Sequence, residues 1–198
     1  MQPKPPSNPG RRKFLITATS VLGAGAVVGA AIPFVTAFNP SEKAKAASAP
    51  ARADISKLGK GEMMLVEWRG IPIYIIRHTE ESLEVLNNNL SRLSDPDSKQ
   101  NQQPEYAKNK NRSIKKNIVV LSGVCTHLSC TPKFYPDLGT TDFDDNWQGG
   151  FFCPCHGSKF DLVGRVYSGV PAPTNLPVPP HYYESEDVLV IGEDEEVT

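Results

Sequence analysis

The chain lacks a basic surplus. Its 21 lysines and arginines stand against 22 aspartates and glutamates, a net charge of −1. That balance excludes a nucleic-acid backbone as the expected partner, and the terminal acids Glu193, Asp194, Glu195 and Glu196 are expected to stay solvated. Length is also limited: 198 residues, 39% of them hydrophobic, suit one compact domain with an appendage and exclude a second large domain. Cysteine and histidine are scarce, four of each, and that makes their placement informative. Cys125, Cys130, Cys153 and Cys155 all fall in two short stretches, CTHLSC at 125 to 130 and CPCHGS at 153 to 158, which also hold His127 and His156. The remaining His78 and His181 lie beside an apolar run and a tyrosine pair, where surface or packing roles are expected.

Charge is missing altogether from Phe14 to Phe38. As a helix at ~1.5 Å per residue this run reaches about 37 Å, enough to cross a bilayer. The GRRKFL before it resembles a twin-arginine export signal. A cleavable signal has an apolar stretch of only about 7–15 residues, so a retained anchor is expected, although Ala44-Lys45-Ala46 has the small-x-small form of a cleavage site. Lys4, Arg11, Arg12 and Lys13 on the near side predict a cytoplasmic amino terminus, with the bulk of the chain outside. Gly23, Gly25, Gly29 and Pro33 suit a membrane helix, and a partner helix packed against it. The expected organisation is a cytoplasmic segment at 1–13, an anchor at 14–38, a tether or hinge at 39–60 and a head at 61–198, with the metal-binding part at about 122–175.

The head reads as mainly β. MMLVEW at 63–68 and IPIYIIRH at 71–78 flank an Arg69-Gly70 turn, and strand signals return at NIVVL (117–121), GGFFC (149–153) and DVLVIG (187–192). Thr79-Glu80-Glu81 starts a short helix ending near Leu86, and the polar stretch from Asn87 to Asn117 reads as a long surface insertion. Each cysteine motif directly follows a strand, so both sit in loops that a sheet can hold together.

Three chemistries fit C-x-H-x2-C followed by C-x-C-H. Two disulfides would use the cysteines but leave the histidine in each loop unexplained. A structural zinc site needs four ligands of this kind, yet neither loop has a C-x2-C knuckle and six candidates exceed one tetrahedral ion. A 2Fe-2S centre with two cysteines on one iron and two histidines on the other uses four of the six and leaves one cysteine per loop to form a bridge. Spacing alone does not distinguish Cys125 from Cys130 as the ligand.

CTHLSC and CPCHGSKFD closely resemble the paired motifs of Rieske iron-sulfur proteins of the respiratory cytochrome bc complex. The resemblance extends to the twin-arginine anchor, IPIYIIRHTEE and the proline-rich GVPAPTNLPVPP at 169 to 180. It implies an antiparallel β-sandwich head with a cluster-binding subdomain and one 2Fe-2S cluster. It further implies Cys125 and Cys153 on one iron, His127 and His156 on the other, a Cys130–Cys155 disulfide, and a Ser158 hydrogen bond to a cluster sulfur. By the same resemblance His156, aided by His127, meets ubiquinol bound in cytochrome b, and the head then swings on the 39–60 segment to a c-type cytochrome. Leu128 would face the quinol pocket, and Pro171 and Pro173 would stiffen a third loop. The implied setting is a dimeric complex in the lipid of a bacterial inner membrane, with the head periplasmic.

Two positions depart from the commonest family pattern. Ser129 stands where glycine is usual, at a cost if the turn is left-handed. Phe160 stands where many members have a tyrosine donating to a ligand sulfur, so a lower reduction potential is expected, and a redox titration of Phe160→Tyr should find it raised. The Rieske subunit of an arsenite oxidase is the competing redox reading, and a zinc-stabilised, membrane-tethered binding module is the competing class.

Overall fold

The computed structural model describes residues 8–41, 44–45, 49–88 and 90–194. Lys4 of the positive flank, Lys43 of the tether, Ala46 of the small-x-small site and the terminal Glu195 and Glu196 lie outside the described residues. The chain divides into two units, Met1–Ala46 and Ala47–Thr198.

The first unit is helix α1, Pro9–Ala37, long and apolar enough to cross a membrane by length and composition. It starts before the expected boundary at Phe14 because its start is set by a cap and not by where charge ends. The Asn8 side chain accepts the Arg11 N–H at 3.1 Å, and Pro9 occupies the first turn, where a missing N–H costs nothing. The hydroxyls of Thr19 and Thr36 donate to the Leu15 carbonyl (2.7 Å) and the Pro33 carbonyl (3.1 Å), which removes unpaired polar groups from an apolar surface.

The second unit holds three antiparallel three-stranded sheets. β1 (Ala51–Asp54), β9 (Val188–Ile191) and β8 (His181–Tyr183) form one; β2 (Met63–Trp68), β3 (Ile71–Arg77) and β4 (Ile118–Ser122) form the second; β5 (Lys133–Thr141), β6 (Asp144–Cys153) and β7 (Ser158–Phe160) form the third. In the middle sheet β3 and β4 are buried on both faces, which explains their nearly unbroken apolar runs. Side chains alternate across a strand, so Ile73 and Ile75 with Ile118 and Val120 pack against Ala53, Ile55, Leu189 and Ile191 on one side. Tyr74 and Ile76 with Val119 and Leu121 pack on the other side against Phe151, Phe160 and Leu162. The pairings Tyr74 with Leu121 and Ile76 with Val119 keep these sets in register. The β2–β3 turn falls at Arg69 and Gly70, both left-handed. Helix α2 (Glu80–Asn88) starts at Thr79, whose hydroxyl accepts the Ser82 N–H at 3.1 Å.

Two expectations are corrected. Residues 51–58 belong to the head: β1 pairs with β9 from Ala51 to Asp54, and Ile55 and Leu58 are buried. Alanines and scattered charges hid that strand, which falls inside the stretch expected to be a tether. The 87–117 stretch is no surface insertion either, since Leu93, Asp95, Ser98, Gln103, Ala107 and Arg112 are buried in it. Arg112 is fully enclosed and donates to the carbonyls of Val163 (2.9 Å) and Leu176 (2.7 Å) and to Gln103 Oε1 (3.2 Å). Of the terminal acids, Glu193 and Asp194 are exposed as expected, Asp194 accepting the Tyr106 hydroxyl at the surface at 3.1 Å. His78 and His181 take the packing role, both buried.

Candidate metal centre

Both cysteine motifs sit at one end of this stack. Loop one follows β4 and loop two follows β6 directly. Each begins with the same tight turn: the Ser129 N–H donates to the Cys125 carbonyl at 3.0 Å, and the Gly157 N–H donates to the Cys153 carbonyl at 2.9 Å. Ser129 (φ 63°) and Gly157 (φ 78°) are both left-handed, so the serine does carry the backbone cost expected of it.

The four cysteines separate into two kinds. Cys130 and Cys155 form a disulfide that ties loop to loop, Cα atoms 6.7 Å apart. Cys125 and Cys153 are free thiols, both buried, and they interact with each other. Burial pushes the Cys125 thiol up and Cys153 adds to this, while the His127 N–H and the Ser158 hydroxyl donate toward its sulfur and favour the thiolate. The Sγ of Cys153 also lies within 4.8 Å of both disulfide sulfurs, which, being bonded, have no thiolate to offer a metal.

The histidines are less buried than the two free cysteines. His127 is half-buried and His156 is exposed, with ring centroids 4.7 Å apart and planes at 90°. Two imidazoles sharing one ion at roughly 2 Å from nitrogen would place their ring centres about 5 Å apart, so this pair fits a common metal atom. Leu128, next to His127, is 65% exposed at the tip of loop one.

A third loop braces the other two. The Ala172 N–H donates to Ser158 Oγ at 3.0 Å, and Thr126 Oγ1 donates to the Thr174 carbonyl at 2.7 Å, so the segment containing Pro171 and Pro173 is bonded to both motifs. Behind it, Asn175 is fully buried. Its side chain accepts the Val166 N–H at 2.9 Å and donates to the Asp95 carbonyl at 3.1 Å and to Ser98 Oγ at 3.2 Å. Sequence reasoning missed Asn175, Arg112 and Tyr74; an asparagine inside a run of prolines was the one available signal. Phe160 is buried on the same face of β7 as Ser158.

Two buried sulfurs and two adjacent imidazoles, held by two matching turns and a bridging disulfide, define a Rieske-type iron-sulfur protein. Residues 99–180 match the model of the Rieske [2Fe-2S] domain, and residues 1–41 match that of the ubiquitinol-cytochrome C reductase Fe-S subunit TAT signal. The iron-sulfur subunit of ubiquinol-cytochrome c reductase from Allochromatium vinosum is 49% identical over 187 residues, covering 94% of this chain and 90% of that one. The subunit of the same name from Bradyrhizobium diazoefficiens is 40% identical, over 93% of this chain and 96% of the relative, and that from Blastochloris viridis is 41% identical over 92% of each. The chain belongs to the family of ubiquinol-cytochrome c reductase iron-sulfur subunits, and its cofactor is a 2Fe-2S cluster. The zinc-module and arsenite-oxidase readings give way to it.

Proposed function

We propose that this chain carries single electrons from ubiquinol, bound in cytochrome b, to a c-type cytochrome, within a dimeric complex of the bacterial inner membrane. Cys125 and Cys153 hold one iron of the cluster, and His127 and His156 hold the other. The observation that carries this reading is the graded burial of the donor set: both sulfurs buried, and the less buried imidazoles beside each other with rings 4.7 Å apart.

When bound, the cluster supplies a one-electron acceptor whose potential is raised by neutral imidazole ligands. The protein does the rest. His156, exposed, presents a ring nitrogen to the quinol hydroxyl and takes its proton there. Leu128 gives that contact an apolar margin. The disulfide and the Ser158–Ala172 bond close the loops over the sulfurs and keep water off them. Helix α1 anchors the chain with its amino terminus in the cytoplasm and the head in the periplasm, and the head moves between partners on the residues before Ala51, where sheet pairing begins.

The test is an electron paramagnetic resonance spectrum of the dithionite-reduced, full-length protein. A 2Fe-2S signal with couplings to two imidazole nitrogens is expected, with one coupling lost in His156→Cys. A spectrum without nitrogen coupling, or no signal from folded protein, refutes the ligand assignment.

A further inference from the structure

One buried phenol reaches the metal centre from outside both of its loops. Tyr74 lies on β3, on the face of the middle sheet turned toward β6. Its ring stacks on Phe151, with centroids 5.3 Å and planes 3° apart, two residues before Cys153. The same ring occupies the space beside Gly123: a Cβ there would meet Tyr74 Cζ at 2.6 Å, two residues before Cys125. Its hydroxyl donates to the Pro132 carbonyl at 2.7 Å, two residues past Cys130. A single side chain therefore contacts the start of loop one, the end of loop one and the strand that delivers loop two.

Each contact does something a smaller apolar residue could not do. The ring holds Gly123 at a distance that admits no Cβ, which sets how deeply the chain dips before Cys125. The hydroxyl satisfies a buried carbonyl that would otherwise be left without a partner. Stacking on Phe151 transmits the position of β3 to β6, and so relates the two sulfurs through one rigid plane.

We propose that Tyr74 is a positioning residue of the electron-accepting centre: it clamps loop one against β6, fixes the spacing of the Cys125 and Cys153 sulfurs, and covers a carbonyl that would otherwise add negative field beside them. This rests on the reading of those two cysteines as iron ligands. Uncovering the Pro132 carbonyl disfavours the extra negative charge of the reduced cluster, so loss of the hydroxyl lowers the reduction potential.

The experiment uses the full-length, cluster-loaded chain. Iron and acid-labile sulfide are measured first in the wild type, and their absence there would remove the ligand reading itself. With a loaded wild type, Tyr74→Phe keeps the ring and deletes only the hydroxyl. Its iron content is expected to be unchanged, its reduction equilibrium shifted about threefold toward the oxidised form, which is ~30 mV at ~59 mV per decade for one electron, and its reduced-state g-values displaced. Gly123→Ala keeps the hydroxyl but pushes the ring off its seat, and its potential is expected to fall in the same direction. Potentials and spectra of both variants indistinguishable from the wild type overturn the proposal.

Discussion

Loop one and loop two make the same turn on opposite kinds of footing. Loop one leaves β4, whose Val119 and Leu121 are locked into the apolar middle layer with Ile76 and Tyr74. Loop two runs into β7 and on to Asp161, which is buried against Arg165: Oδ2 accepts from Nε at 2.6 Å, while Oδ1 accepts the N–H groups of Val163 (3.1 Å) and Arg165 (2.7 Å). Arg165 in turn donates to the carbonyls of Leu86 and Pro96, so α2 and the 90s segment are tied to the same pair. Apolar packing sets how far loop one sits from the core. The directional bonds of Asp161 also set which way loop two points, and loop two carries the exposed His156 that has to meet a partner.

The asymmetry breaks most visibly at Asp161. Asp161→Ala leaves the Arg165 guanidinium buried without its counter-charge, and a loss of about 3–5 kcal/mol is expected in denaturant unfolding. Ile76→Val, a trimmed methyl in the footing of loop one, should cost only about 1 kcal/mol. Equal losses in the two variants would show that the footings do not differ as described.

His78 sharpens the contrast, because it lies at the end of β3 and senses Asp161. Burial lowers its pKa to about 4, with the charge of Asp161 pulling the other way. The unfolded chain takes up this proton near pH ~6.5 while the folded chain stays neutral, so stability is lost as pH falls from ~6.5 to about 4. The loss is on the order of 3 kcal/mol at ~1.4 kcal/mol per pKa unit. His181, buried and lowered in the same direction, adds to the wild-type curve, so the difference between wild type and His78→Leu isolates the effect. A pH profile unchanged in His78→Leu would contradict it.

The same contrast explains what could be read from the sequence. β2, β3, β4 and β9 were legible because the middle layer and its first neighbour rest on apolar side chains, whose pattern is written in the chain. The ligand-bearing loops were legible because their chemistry needs rare residues. β1, β5, β7 and β8 were not. β7 and β8 are three residues long, β1 is built from alanines and charges, and β5 is largely exposed and carries a proline and a glycine. The 87–117 stretch misled for a related reason. Arg112, Gln103, Asp95 and Ser98 are buried by bonds to carbonyls, N–H groups and Asn175, and such bonds leave no periodic trace.

The smallest effect tests whether the two turns are really one design. Ser129 holds a left-handed conformation that Gly157 holds without a side chain. A Cβ in that region costs roughly 1–2 kcal/mol, and the added freedom of glycine in the unfolded chain gives back roughly 0.5–1 kcal/mol. Ser129→Gly should therefore stabilise the head by only about 0.5 kcal/mol. Because Ser129 is exposed and its N–H bond to Cys125 is retained, the reduction potential should not move. A gain in thermal midpoint with an unchanged redox titration would establish that the turn is shared and that its strain is confined to the backbone of loop one. A shifted potential would mean instead that the serine side chain acts on the centre, and that the two loops differ in chemistry as well as in footing.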